Sequence, residues 1–367
     1  MKIAFFEEYF KKTDNPGKII TSGIDWFRIV NPAQNLKLTT DWEIDIYKDP
    51  FTTTSKFRNW EEICAYYDIG YFPYFPNIRL YSYLLGQVEK RKMRFVIDID
   101  DNLWETTPTH RLFPYIHIGT NLYHIYYYIA RTAPFLTTTN SILKTKLKRI
   151  SLDKRIEILP NYIDLKKYYY TPVWNKRNFT IVYFGTNNHL QDITYRPFLN
   201  AIIRFVKKYP HIIFKTVGMS KVPILVSKLK QNYLAIKGND DYYEYLDIWR
   251  KKIASAEIAV APLENTGFSR CKSPLKFYET GAGRLPFICS RIQPYKGVVQ
   301  QGKTGFLCRT EKDWYSALEA LIQSEELRLK ISNQAFEYVK ENCTIQKNIG
   351  RYKKYFEKVY NTGRVKK

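Results

Sequence analysis

The chain has 367 residues, 45% of them hydrophobic and 16% aromatic, with 58 Lys and Arg against 35 Asp and Glu for a net charge of +23. That length excludes a single small module and suits two domains of roughly 150 to 200 residues, while the apolar content excludes a disordered chain. The charge selects for anionic partners, whether nucleic acid, acidic membrane or phosphorylated small molecules, although lysine-rich coding alone also produces it.

In chain order, KIAFF (2–6) reads as a first strand, and a loop with Gly17 and Gly23 leads into a helix from about Asp25. RFVIDID (94–100) is an apolar run closed by acids, the pattern of a buried parallel strand whose C-terminal end opens onto a site. PFLTTT (134–139) and RIEILP (155–160) read as two further strands. After the segment around 168–176 a second alternation begins. Its strands are 179–185, 211–218, 256–263 and 285–290, with helices near 195–208, 242–254, 274–282 and 313–340. The expected architecture is therefore α/β, two doubly wound domains facing each other across a cleft. They divide as 1–168 and 169–345, and 346–367 forms a basic tail that reads either as a solvated helix or as a helix packing back on the first domain.

The stretch GFSRCKSPLKFYETGAGRLPFICS (267–290) carries the most chemistry. Ser273 suits a helix N-cap and Pro274 a first helical position. The amides of Leu275 and Lys276 then face an anion with the helix dipole behind them, and the Lys276 ammonium adds a mobile charge suited to a diphosphate. Glu279 follows one turn later, where a carboxylate accepts ribose hydroxyls. Taken alone, Lys276 and Glu279 read first as a surface i,i+3 ion pair, and it is their neighbourhood that favours the anion site.

S-P-L-K-x-x-E followed by a small-residue turn and L-P-F-I-C-S resembles the nucleotide-sugar site of GT-B glycosyltransferases similar to glycosyltransferase family 4. EILPNYIDL (157–165), IVYFGTNNHLQDI (181–193), SAEIAVAPLENTGFSRCKS and GKTGFLC (302–308) resemble further pieces of that fold in the same order, and DNLWE (101–105) resembles an acceptor-domain strand end. The resemblance implies retaining transfer from a nucleoside diphosphate sugar without a strict need for metal or other cofactor. It places the helix start at Ser273, Pro274 and Leu275, with Lys276, on the diphosphate and Glu279 on the ribose. It places Gly23, Gly185, Thr186, Asn187 and His189 near the donor, and Asp101 on acceptor or donor sugar.

Three departures stand out. Cys271 occupies the position of the usual first motif glutamate, eight residues before Glu279, and Arg284 stands where a glycine is usual, with Gly281 and Gly283 nearby for a tight turn. The loop after the first strand of the second domain carries Thr186, Asn187, Asn188 and His189 in place of the usual arginine and lysine, so Arg270, Lys272 or the loop's own Asn and His groups stand in.

Other features keep alternatives open. Asp98 and Asp100 share a strand face and resemble the D-x-D of haloacid-dehalogenase-type phosphatases, a metal-dependent rival reading. Asp25 and Arg28 accompany Gly23 in the loop expected near the donor phosphates. His110, His117 and His124 recur at steps of seven, which favours packing or acceptor contact over a metal pair. Residues 201–237 hold eight Lys or Arg and no acid, and 144–177 hold ten against three. These faces suit either an anionic membrane beside a lipid-linked or cell-surface glycan acceptor, or DNA carrying a hydroxymethylated base, as for phage-type enzymes of this fold. Five dispersed cysteines, the absence of an 18-residue apolar run, and Glu7 and Glu8 near the start lead us to expect a soluble cytoplasmic chain, peripheral to the inner membrane face if membrane-bound.

Overall fold

The computed structural model describes residues 1–7, 11–12, 15–48, 57, 59–74, 77–90, 92–108, 110–168, 170 and 179–362, giving the backbone alone for 11–12 and 15–19. A boundary at 168/169 borders residues 171–178, which lie outside the described residues.

Two parallel six-stranded sheets, the expected class, organise the chain. The first contains β1 (Lys2–Phe6), β4 (Glu43–Tyr47), β5 (Ile69–Pro73), β6 (Arg94–Ile99), β7 (Leu136–Thr138) and β8 (Ile156–Ile158), in the order β4-β1-β5-β6-β7-β8. The region read as a loop around Gly17 contains a short antiparallel pair, β2 (Lys11–Lys12) and β3 (Asn15–Ile19). The second sheet contains β9 (Phe179–Phe184), β10 (Ile212–Val217), β11 (Tyr233–Ile236), β12 (Ile258–Ala261), β13 (Phe287–Ser290) and β14 (Phe306–Cys308), in the order β11-β10-β9-β12-β13-β14. Strand order reverses at β9/β12, so the turns after these two strands form the crevice where doubly wound sheets take ligands.

The helix read as 313–340 is two helices, Glu311–Gln323 and Glu325–Asn342. Ser324 breaks it by accepting the Leu327 amide at 3.0 Å as an N-cap. The first helix of the chain starts at Gly23, capped reciprocally by Ser22 and Asp25, and widens through a π-turn at Trp26–Val30 before continuing as Asn31–Thr39.

That widened turn carries Arg28 into the interior. Its guanidinium grips Asp98 with two bonds of 2.7 and 2.5 Å, bonds Asn161 Oδ1 at 2.8 Å and reaches the Leu159 carbonyl. Thr137 donates to the same Asp98 carboxylate. Arg28 is therefore a buried strut joining β6, β7 and the chain after β8, not a group facing donor phosphates. Asp98 is 2% exposed and committed to that strut, whereas Asp100 lies just beyond β6. The two acids do not form an open pair.

The chain passes between the halves at two adjacent points. Ile163 pairs with Thr344, its amide donating to the Cys343 carbonyl at 3.0 Å and its carbonyl accepting from Ile345 at 2.9 Å. The last helix, Ile345–Asn361, then packs on the first sheet. Ile345, Ile349, Tyr352, Phe356 and Val359 form one helical stripe that shares a core with Ile3, Phe5, Tyr71 and Val96. Phe356 lies edge-on to both Phe5 and Tyr71, each at 5.5 Å. Burial of each such side chain contributes about 1.5–3 kcal/mol, so one face of this helix is interior wall of the first domain while the rest faces solvent.

Candidate functional site

The site is built on the β9/β12 crevice. β9 ends at Phe184, and Gly185 turns the chain towards His189. A methyl group on Gly185 would lie 3.2 Å from His189 Cδ2, 3.2 Å from Tyr183 Oη and 3.5 Å from Lys276 Nζ, so these three groups converge on one small space. Lys276 Nζ also stands 5.6 and 5.7 Å from the ring centres of Tyr183 and Phe184. Tyr183 Oη is buried and has no hydrogen-bond partner among the described residues. Gly185→Ala should therefore weaken binding of any ligand held by Lys276 about tenfold and also lower the unfolding free energy by about 1–3 kcal/mol, because φ +158° is a conformation that side chains rarely adopt. Isothermal titration alongside urea unfolding checks this.

Lys276 is the second residue of helix Leu275–Ala282. The helix starts one residue later than the sequence implies. Pro274, at φ −80° and ψ 32°, is the cap position, no side chain caps it, and Ser273 lies outside. The ladder begins with the Phe277 amide donating to the Pro274 carbonyl at 3.0 Å, which leaves the amides of Leu275 and Lys276 ahead of it. Burial, followed by repulsion from Lys272, pushes the Lys276 ammonium down to about 8.

Three residues on, Glu279 is 5% exposed, so the pair is not a solvated surface ion pair. Tyr245 donates to Glu279 Oε1 at 3.1 Å, and Tyr168, itself bonded to Tyr242 at 2.8 Å between hydroxyls, lies close enough to lower the carboxyl's proton affinity. Burial pushes Glu279 up to about 7, opposed by these tyrosines and by Lys276. A carboxylate has about four acceptor positions, so capacity remains for a ligand's hydroxyls.

His189 Nδ1 lies 2.9 Å from Asp192 Oδ2. Burial, then the nearby charges of Lys272 and Lys276, hold the imidazole well below its ordinary value and so favour its neutral form. Asp192 also accepts the Glu264 amide at 3.2 Å, tying the β9 turn to the β12 loop.

The loop after β12 continues into the first domain. Asn140 Nδ2 donates to the Cys271 carbonyl at 2.6 Å, Asn102 Nδ2 to the Gly267 carbonyl at 3.4 Å, and Thr107 Oγ1 to Gln191 Oε1 at 3.0 Å. Cys271, 0% exposed, belongs to the first domain's core, among Ile99, Leu143 and Leu147. His110 lies on the Phe268 ring at 4.6 Å, and its proton affinity is lowered by burial and then by Lys272. The crevice is thus closed on one side by residues of the other domain.

Residues 178–324 match the family profile described as Glycosyl transferases group 1. The fold is GT-B. Over nearly its whole length the chain is similar to sucrose-phosphate synthase from Thermosynechococcus elongatus, at 13% identity and a TM-score of 0.66, covering 99% of this chain and 100% of that one. It is similar to HepE from Anabaena, solved in complex with UDP, at 11% identity and a TM-score of 0.63, covering 98% and 100%. It is also similar to the pneumococcal O-GlcNAc transferase GtfA, solved with UDP and GlcNAc, at 13% identity and a TM-score of 0.58, covering 79% and 56%. A search of curated protein sequences gives no significant match.

Around this crevice, the residues singled out from the sequence divide clearly. Gly185, His189, Lys272, Leu275, Lys276 and Glu279 gather at the crevice. Lys272 Nζ stands 4.6 Å from the Phe268 ring, and its charge reaches Lys276, His189 and His110. Asp101 is half-buried at the domain seam, where its charge is felt by His110 and Cys271. Asp100 beside it is pushed up to about 8, by burial first and then by Asp101 and Asp98. Thr186 is exposed, and Asn187 is bound to Ser220, accepting its amide at 2.8 Å. Arg270 is exposed and bonded to Asn265 at 3.2 Å, turned aside from the convergence. Gly23 is exposed with open space where a Cβ would stand, so no crowding within the chain requires a glycine there.

The turn after helix Leu275–Ala282 is also corrected. Gly281 and Gly283 serve close packing, against Val339 and Trp249, and the left-handed position is taken by Arg284 at φ 54°. Its guanidinium stacks 3.8 Å from the Phe336 ring centre, which offsets the roughly 1 kcal/mol cost of that conformation.

Sequence reasoning missed Tyr183, Asp192, the tyrosines around Glu279 and Glu7. Glu7, just past β1 and 2% exposed, accepts from Thr21 Oγ1 at 2.9 Å and is pushed up to about 7 by burial. Asp192 had a readable signal, since it lies three residues after His189, the spacing that brings side chains together on a helical turn. The three histidines at steps of seven do not meet. His110 is at the seam, His117 stacks on Phe113 at 5.1 Å, and His124 is exposed.

Proposed function

We propose that the chain is a glycosyltransferase that moves a sugar from a nucleoside diphosphate sugar to a hydroxyl acceptor with retention, residues 1–168 serving the acceptor and 169–345 the donor. The observation that carries this reading is the placement of the Lys276 ammonium over the Gly185 turn, beside His189 and the helix-start amides, one turn from a buried Glu279. UDP in the HepE and GtfA structures supports a nucleotide-sugar donor, and HepE was also solved with UDP and glucose.

In this reading the Leu275 and Lys276 amides, the Lys276 ammonium and Lys272 hold the diphosphate. Glu279 accepts ribose hydroxyls, and the Gly185 turn with Thr186 and Asn187 flanks the donor. Asp101 faces the sugars from the acceptor side. As the glycosidic bond breaks, negative charge grows on the leaving diphosphate. Cationic and amide donors already fixed around it lower the barrier by electrostatic preorganisation, and no metal is required for that role. Among the described residues no helix is long and apolar enough to cross a membrane, and the acceptor class we favour is a cell-surface glycan or lipid-linked precursor.

A thermal-shift screen of nucleotide sugars tests the proposal. At a hundredfold excess over Kd, binding should stabilise the chain by about 2.7 kcal/mol, raising Tm by roughly 3–4 °C for at least one compound, and Lys276→Ala should abolish the shift. Failure of every nucleotide sugar to raise Tm at millimolar concentration would overturn it.

A further inference from the structure

The first domain carries a surface that the proposed reaction leaves unused. From residue 106 to 152 the chain contains six Lys or Arg, seven Phe or Tyr and no Asp or Glu. Several apolar side chains of this segment point outward. Ile118 is 73% exposed, Tyr115 64%, Leu152 62% and Tyr128 43%. Helix Asn121–Thr132 buries Tyr126, Ile129 and Ala130, while Asn121, His124, Tyr128 and Arg131 form an exposed row at steps of three and four. The Leu152 amide donates to the Arg131 carbonyl at 2.8 Å, which brings the end of helix Ser141–Ile150, with exposed Lys148 and Arg149, beside that row. The same segment starts at the domain seam, where Thr107 meets Gln191 and His110 meets Phe268.

We propose that this face docks on an anionic lipid bilayer, with Tyr115, Ile118 and Tyr128 at headgroup depth and Arg131, Lys148 and Arg149 on lipid phosphates. Tyrosine suits that depth because its ring is apolar and its hydroxyl is wet, and basic side chains beside it are drawn to acidic headgroups. An acid-free segment adds no repulsion of its own. Exposed Ile and Leu gain nothing on a nucleic-acid backbone, which rewards charge alone, and this favours lipid over DNA. Docking stands independently of the sugar-transfer reading. Where both hold, the cleft lies at the membrane surface and takes its acceptor from there.

The test is co-sedimentation of the full chain with vesicles of mixed phosphatidylglycerol and phosphatidylcholine, and with phosphatidylcholine alone. Binding to the mixed vesicles only is expected. Ile118→Ser combined with Tyr128→Ser should weaken it tenfold or more, and Lys148→Glu or Arg149→Glu roughly fivefold each. Lys207→Glu with Lys228→Glu on the second domain should leave it unchanged, and circular dichroism melts confirm folding of each variant. No binding, equal binding to both vesicle types, or binding indifferent to the first-domain changes would overturn the proposal, as would a preference for duplex DNA that the serine variants leave intact. The donor-induced thermal shift, measured on the same preparations, reports separately on sugar transfer.

Discussion

Lys276→Ala is expected to lower kcat by about 10²- to 10³-fold, the usual effect of removing one preorganised donor from a developing oxyanion. Burial and the Lys272 charge have already brought this ammonium down to about 8. It is charged below that pH and neutral above it, so kcat/KM, which reports the free enzyme, should fall as pH rises through about 8. A bound diphosphate favours the charged form, and kcat should therefore fall at a higher pH than kcat/KM. Lys272→Ala relieves the repulsion and should move the kcat/KM limb upward. Lys276→Arg should flatten it, because a guanidinium does not titrate in that range. Steady-state profiles of these variants from pH 6 to 10 decide the matter; a Lys276→Ala enzyme within threefold of wild type would remove the residue from the chemistry.

Arg28→Met is expected to destabilise the chain by about 3–5 kcal/mol, because it strands the buried Asp98 carboxylate without its partner. Arg28 and Asp98 side chains are 0% and 1% exposed, and the pair is two-pronged. Asp98→Asn should cost less than Arg28→Met, since an amide still accepts from the guanidinium, and Asp98→Leu with Arg28→Met should recover much of the loss by removing both charges. Urea denaturation of the three variants measures these terms. The result bears on function as well as folding, because a structural Asp98 is not available as the nucleophile of a phosphatase. Magnesium-dependent phosphate release that survives in Arg28→Met and vanishes in Asp98→Asn would contradict this assignment.

The sequence made visible what local pattern controls. β6 is a nearly continuous apolar run closed by acids and β12 a continuous one, and the helix holding Lys276 announces itself by Ser273 and Pro274, though its start shifts by one residue because Pro274 adopts the cap conformation. β4 and β5 were missed. EIDIY alternates charged and apolar residues as an edge strand does, and IGYFP ends in a proline that reads as a breaker. Long-range partners were out of reach. Arg28 reads as a group near the donor phosphates until Asp98, 70 residues away, and Asn161, 133 away, are seen around it. Cys271 reads as a missing carboxylate, yet in the fold it is a small apolar group seated in the other domain. No spacing rule connects His110 to Phe268, since only closure of the two halves does so.

The sharing of interiors has a practical corollary. The segment ending at Asn361 supplies a wall of the N-terminal core, and Cys271 fills a gap in the same half from the opposite direction. A chain severed between positions 170 and 179 would give one fragment lacking its wall and another with greasy residues facing water. Each half depends on the other for its completion, so swapping donor specificity by exchanging the C-terminal half for that of a relative requires moving the terminal helix and the Cys271 loop back with their N-terminal hosts.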